Sequence, residues 1–193
     1  MPVKIIRPDH VEIVGLGYVL LTAPHTASPD ADLHTGSIVE EAALTSRSYA
    51  VIGKVSKEFL DLNKMQSAKS DFRKGVETFI AEDGIRYILN ICGKIEPGVD
   101  IRTTVGQMSS TSAMELVRLR LIKDFTVRVN NESKERKTGD VAVSYNSKDA
   151  KGDLIVETVE IDFGEDERRF QREKVISDLS EIADLLNAGL VTS

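Results

Sequence analysis

Imidazole, carboxylate and thiol groups fall at the ends of apolar runs in this chain, where a folded α/β protein gathers its chemistry. His25 follows an unbroken apolar run from Leu16 to Ala23 and the break at Pro24, and Asp30, Asp32 and His34 lie in the same connection. Nitrogen and oxygen donors on one loop are a candidate metal site, and an imidazole at a strand end is equally a candidate base. The competing readings are local. A histidine can simply be hydrogen-bonded within its loop, and Asp30, Asp32, Glu40 and Glu41 suit the positive end of the helix that follows. Cys92, the lone cysteine, ends another apolar run, Arg86 to Cys92, as a metal donor, a nucleophile or a small buried hydrophobe. Other motif fragments carry nothing: Gly15-Leu16-Gly17 lacks the third glycine of a dinucleotide fingerprint, and Gly53-Lys54 lacks the upstream glycine of a phosphate loop.

The elements that must position these groups can be read from periodicity. Apolar runs at 16–23, 49–55 and 86–92 predict strands covered on both faces, and residues 3–6 with 11–14 predict an edge hairpin. Ser37-x-x-Glu40 and Ser112-x-x-Glu115 predict capping boxes at two helix starts. Ala68, Phe72, Val76, Phe79 and Ile80 recur at helical spacing ahead of Gly84, and Val175 to Leu186 do so ahead of Gly189. A short extended segment is expected at 59–62, a short strand or extended loop at 99–103 and a strand at 125–129. Residues 154–163 alternate, as in a strand with one covered face, and the polar stretch 130–152 is expected to hold a hairpin arm at 141–145 or a lid. Alternating strands and helices imply an α/β chain with a mostly parallel sheet and helices on both faces. Such sheets collect ligands beyond the carboxyl ends of their strands.

Length and composition narrow the classes. The 193 residues suit one domain, 1–193, and 41% apolar with 29% charged residues is ordinary for a globular chain. A net charge of −6, no tryptophan and 5% aromatic residues argue against a nucleic-acid partner. The opening apolar stretches are interrupted by Pro8, Asp9, His10 and Glu12, so neither a signal peptide nor a membrane span is expected. One cysteine makes no intrachain disulfide, which fits a reducing compartment, and the cytoplasm is the expected location.

Val19 to His25 (VLLTAPH), Asp32-Leu33-His34-Thr35-Gly36, Val55-Ser56-Lys57 with Asp61-Leu62-Asn63-Lys64, Ile88 to Gly93 with Asp100-Ile101, and Val159-Glu160-Ile161-Asp162 occur in that order. Together they resemble the N-formylglutamate amidohydrolase family, over about residues 18 to 188. The resemblance implies a phosphorylase/hydrolase-like three-layer α/β/α sandwich shared with zinc carboxypeptidases and aspartoacylase. It also implies zinc-dependent hydrolysis of an amide bond in a small, anionic N-acylated amino acid. On that pattern His25 is the first zinc ligand, Asp32 (favoured over His34) the second, position 92 the third and Glu160 the general base. Arg47, Lys57 and Lys64, with Arg102, fall where the family places groups near the substrate carboxylate. The sequence departs from the family at Asn90 and Cys92, where the family has Asp-x-His. A thiolate gives the metal a weaker Lewis acidity, and an amide at 90 removes a second acidic partner. The alternative is a relative that keeps the fold as a small-molecule binding or interaction protein. A third reading makes Cys92 a nucleophile with His25 as its base.

Overall fold

Strands β3 (Val19–Ala23), β4 (Tyr49–Gly53) and β5 (Tyr87–Gly93) are the three apolar runs. The computed structural model of the chain sets them side by side and parallel, with β9 (Leu154–Phe163) parallel to β5. It describes residues 1–27, 32–56, 58–62, 67, 69–103, 112–129, 147–148 and 154–189. All of β3 and β4 is buried, because strands without a polar face must be covered on both sides. Around this centre lie β1 (Val3–Ile6), β2 (His10–Val14), β6 (Val99–Thr103) and β7 (Val127–Val129), in the order β1-β2-β4-β3-β5-β9-β6-β7. β1 and β2 form the expected edge hairpin, β2 runs antiparallel to β4 and β6 antiparallel to β9, and the short β8 (Ser147–Lys148) also pairs with β9.

Helices α1 (Thr35–Ser46), α3 (Ser112–Leu121) and α5 (Arg172–Asn187) share one apolar cluster with Leu21, Leu89, Val159 and Ile161. On the other face, α2 (Asp71–Asp83) brings Phe72, Val76 and Phe79 onto Leu20, Val51 and Ile88. The fold is therefore α/β, with a mixed, mostly parallel sheet between helical layers. No helix among the described residues is long and apolar enough to cross a membrane.

Several elements differ from expectation, each for a local reason. α2 begins at Asp71 rather than near Gln66, because the Ser70 hydroxyl accepts from the Arg73 amide (3.2 Å) and caps it there. It ends, as expected, at Gly84 in the left-handed region (φ 69°). Neither capping box forms. The chain enters α1 through His34 at φ 72°, the Ser37 hydroxyl donates to the His34 carbonyl (3.0 Å), and Glu40 pairs with Lys4. Glu115 pairs with Arg118. Residues 58–62 fold as turns rather than a strand, with the Phe59 and Leu60 amides both donating to the Ser56 carbonyl (3.0 and 2.9 Å). A short helix α4 (Glu165–Phe170) precedes α5. β9 is buried on both faces, not one: Thr158, Glu160 and Asp162 are 1–5% exposed, and their alternation marks a polar interior. The hairpin arm expected at 141–145 lies outside the described residues, as does most of the 130–152 lid.

Two long-range contacts fasten the helical layer. Arg120 of α3 reaches Asp178 (2.6 Å) and Glu181 (2.6 Å) of α5 as well as Asp124 (2.9 Å), and Asp178 is 1% exposed. At the end of α5 the Asn187 side chain accepts from the Tyr18 amide (2.7 Å), seated against Gly17, whose φ of 85° and lack of Cβ make room for it.

Candidate metal centre

β5 and β9 turn polar toward their carboxyl ends on the face that begins under α2. Side chains alternate along a strand, so Ile88 and Val156 in the apolar cluster put Asn90, Cys92, Thr158, Glu160 and Asp162 on the same side. β3 ends beside them, and the chain turns at Pro24 against β4. Gly53 permits this approach, since a Cβ there would overlap the Pro24 carbonyl.

The turn buries the His25 ring (7% exposed). Nε2 lies 2.7 Å from Asp61 Oδ1. A carboxylate only accepts, so Nε2 donates to Asp61, and Nδ1, 3.7 Å from Asp32 Oδ2, is the ring nitrogen turned toward the other donors. Asp32 is fixed by its own backbone: its amide donates to the His25 carbonyl (2.9 Å), and its carbonyl accepts from the Thr35 amide (3.0 Å) and hydroxyl (2.6 Å). Its Oδ2 accepts from the Gly93 amide at 2.8 Å, which ties the first connection to the end of β5. Cys92 completes the group, and one donor atom each from His25, Asp32 and Cys92 lies within 4.8 Å of the others. Zinc bonds of ~2.0–2.3 Å in a tetrahedral shell space donors roughly 3.3–3.8 Å apart, so the set fits a zinc-sized ion after a small contraction. The carboxylate behind His25 is the usual partner of a ligating imidazole.

Burial, and then the charges of Glu160, Asp162 and Asp32, push the Cys92 thiol well above its ordinary range, against a smaller opposing effect of Arg102. A sulfur so held is a poor nucleophile on its own, which counts against the thiol-enzyme reading, whereas a divalent cation would offset the surrounding negative charge. Asn90, which in sequence marks a lost acidic partner, supplies a different one. Its amide nitrogen lies 3.7 Å from Cys92 Sγ and 3.3 Å from Glu160 Oε2, and its carbonyl oxygen accepts from the Thr22 hydroxyl at 2.8 Å. Glu160 is buried beside this amide, in register with Asn90, and its other oxygen lies 3.6 Å from Arg102. Arg102 also pairs with Asp162 at 2.7 Å.

His25, Asp32, Cys92 and Glu160 are thus brought together from four connections and strands. His34 is exposed on the outer side of its turn, so Asp32 and not His34 joins the group. Arg47 corrects a sequence expectation: it closes α1 at the opposite end of the parallel strands, where its carbonyl accepts from Leu16, because α1 runs antiparallel to the strands it covers. Asp30, Lys57 and Lys64 lie outside the described residues. Sequence reasoning assigned no role to Asp61 or Arg168. Asp61 stands in a fragment of the family resemblance, whereas Arg168 sits in a charged run, Glu165 to Arg169, with no pattern to single it out.

No family model matches the sequence, and no curated protein matches it. Solved structures do. A gene product of Agrobacterium tumefaciens superposes with a TM-score of 0.66 at 12% identity, covering 94% of this chain and 96% of that one. A bacteriophage poly-gamma-glutamate hydrolase gives 0.60 at 9% identity, over 96% and 91%. A metallo-carboxypeptidase from Burkholderia cenocepacia gives 0.56 at 11% identity, over 95% of this chain and 61% of that one. At these identities the likeness is one of fold: this chain has a metallopeptidase- and hydrolase-like α/β architecture, carrying a His-Asp-Cys group able to hold a metal ion.

Proposed function

We propose that the chain is a zinc-dependent amidohydrolase acting on a small, anionic N-acylated amino acid, in the manner of the N-formylglutamate amidohydrolases its sequence resembles. The observation that carries this reading is the convergence of His25, Asp32 and Cys92, with Asp61 behind the imidazole. Mixed nitrogen, oxygen and sulfur donors favour zinc over magnesium or calcium, which take oxygen. Bound there, zinc would polarise the scissile carbonyl and lower the pKa of water to about 7. Glu160 is the acceptor for the proton of the attacking water and its donor to the departing amine. Asn90 lies against one Glu160 oxygen and Arg102 against the other, and the two orient the carboxylate. Arg102 is 38% exposed and serves to draw in the substrate's carboxylate, with Lys57 and Lys64, which flank Asp61 in sequence, as further cations. The lone cysteine keeps the cytoplasm as the proposed compartment.

A second reading, a non-catalytic binding relative, draws on the ion pairs that Arg102 makes with Glu160 and Asp162 across the base. Elemental analysis and hydrolysis of a panel of N-formyl and N-acetyl amino acids separate the two. The enzyme reading expects stoichiometric zinc and a fall in turnover of ~10²–10⁴-fold in Glu160→Ala. Unchanged turnover in that variant removes Glu160 as base, and zinc-free protein with no turnover leaves the binding relative.

A further inference from the structure

Arg168 of α4 is 5% exposed, and its guanidinium donors go to backbone carbonyls rather than to carboxylates. Burial lowers its pKa from the ordinary guanidinium value, against the opposing pull of Asp32, Glu165, Cys92 and Glu167. A buried guanidinium without a paired anion is costly unless its donors are satisfied. Arg168 meets that cost with three backbone carbonyls: Nη1 donates to Leu33 (2.9 Å), Nη2 to Lys94 (3.0 Å) and Nε to Gly164 (3.2 Å). Those carbonyls are not arbitrary. Leu33 directly follows Asp32, Lys94 lies just beyond Cys92, and Gly164 closes β9 beyond Asp162. Gly93 supplies the seat, because a Cβ there would overlap the guanidinium and lie 2.8 Å from the Asp32 Cβ.

We propose that Arg168 is a positioning residue of the metal centre. Its planar fork sets the spacing between the connection carrying Asp32 and the one carrying Cys92, and its enclosed positive charge offsets the negative donors of the site. The inference rests on the metal-site reading above and adds to it a residue that touches neither metal nor substrate. Lysine keeps the charge but cannot span three carbonyls, and methionine keeps much of the length and removes the charge.

The test uses the full chain stripped of metal. Zinc affinity is measured by chelator competition and cobalt(II) absorption is recorded for the wild type, Cys92→Ala, Arg168→Lys and Arg168→Met, with circular dichroism and thermal melting of each apo form. The wild type is expected to show a sulfur-to-cobalt band that Cys92→Ala loses. Arg168→Lys is expected to bind zinc ~10–100-fold more weakly, with an altered cobalt spectrum and an unchanged apo fold. Should Arg168→Lys or Arg168→Met fail to fold, Arg168→Gln, which keeps a planar end with an NH2 donor and removes the charge, takes its place and is expected to weaken zinc by a similar factor. A wild type that takes up neither ion withdraws the metal site and this proposal together. A wild type that binds both, alongside Arg168 variants that bind equally well, leaves the metal site standing and overturns the positioning role.

Discussion

Asp178 offers a quantitative test of the packing between α3 and α5. Its side chain is 1% exposed, and its partner Arg120 is shared with Asp124 and Glu181. Burial is the main influence and raises the carboxyl from 3.8 to about 6; Arg120 opposes the rise and the Asp124 charge adds to it. A difference of about two pH units, at ~1.4 kcal/mol each, makes the ionised form roughly 3 kcal/mol less favourable in the folded chain than in the unfolded one. The folded value lies above the unfolded one. The carboxyl's contribution is therefore fully present below about pH 3.8 and is lost as pH rises through about 6. Asp178→Asn cannot titrate. Urea unfolding of both proteins from pH 4 to 8 should show the wild type losing ~3 kcal/mol relative to the variant across that window, on top of any constant offset from the altered Arg120 contact. A wild-type-minus-variant difference that stays flat with pH refutes the assignment of a strained, buried carboxylate.

Asp61→Ala removes the partner of His25 Nε2 and should weaken zinc by ~10–100-fold in chelator competition, with His25→Ala as the floor; wild-type affinity in Asp61→Ala would mean that Nδ1 is not a ligand. Ser70→Ala should cost ~1 kcal/mol in urea unfolding and Ser70→Gly only a few tenths, since the hydroxyl satisfies the Arg73 amide; equal losses would point away from capping.

What could be read in the sequence was whatever depends on neighbours along the chain. The amphipathic spacing of Phe72, Val76 and Phe79, the Gly84 stop and the fully apolar runs of β3 and β4 all reappear in the fold, because each needs only its own period to be recognised. His25 and Cys92 were legible as strand-end residues for the same reason. The pairing of Asn90 with Glu160 was not, since it depends on β9 lying beside β5 in a particular register across 70 positions of chain. The alternation of residues 154–163 was visible, but period two cannot distinguish a polar face turned to water from one turned to a buried site. Ser37 and Ser112 matched a motif whose formation depends on how the chain enters the helix, and at α1 the left-handed His34 decides that instead. Arg168 binds only carbonyls, which every residue has, so no spacing of side chains could have revealed it.

The order in which the strands are made is not the order in which they lie. β9 follows all the other described strands in the chain yet occupies the interior of the sheet, parallel to β5 on one side and antiparallel to β6 on the other. During synthesis, β5 and β6 must therefore leave the ribosome with open edges and wait for a partner still being translated. The Tyr18–Asn187 clasp, 169 positions apart, closes later still. Contacts this distant in sequence slow folding and leave strand edges open to wrong partners. A nascent chain stalled before residue 154 is therefore expected to be held by chaperones more than one stalled after the segment through residue 187 has emerged, as crosslinking of the stalled chains would show.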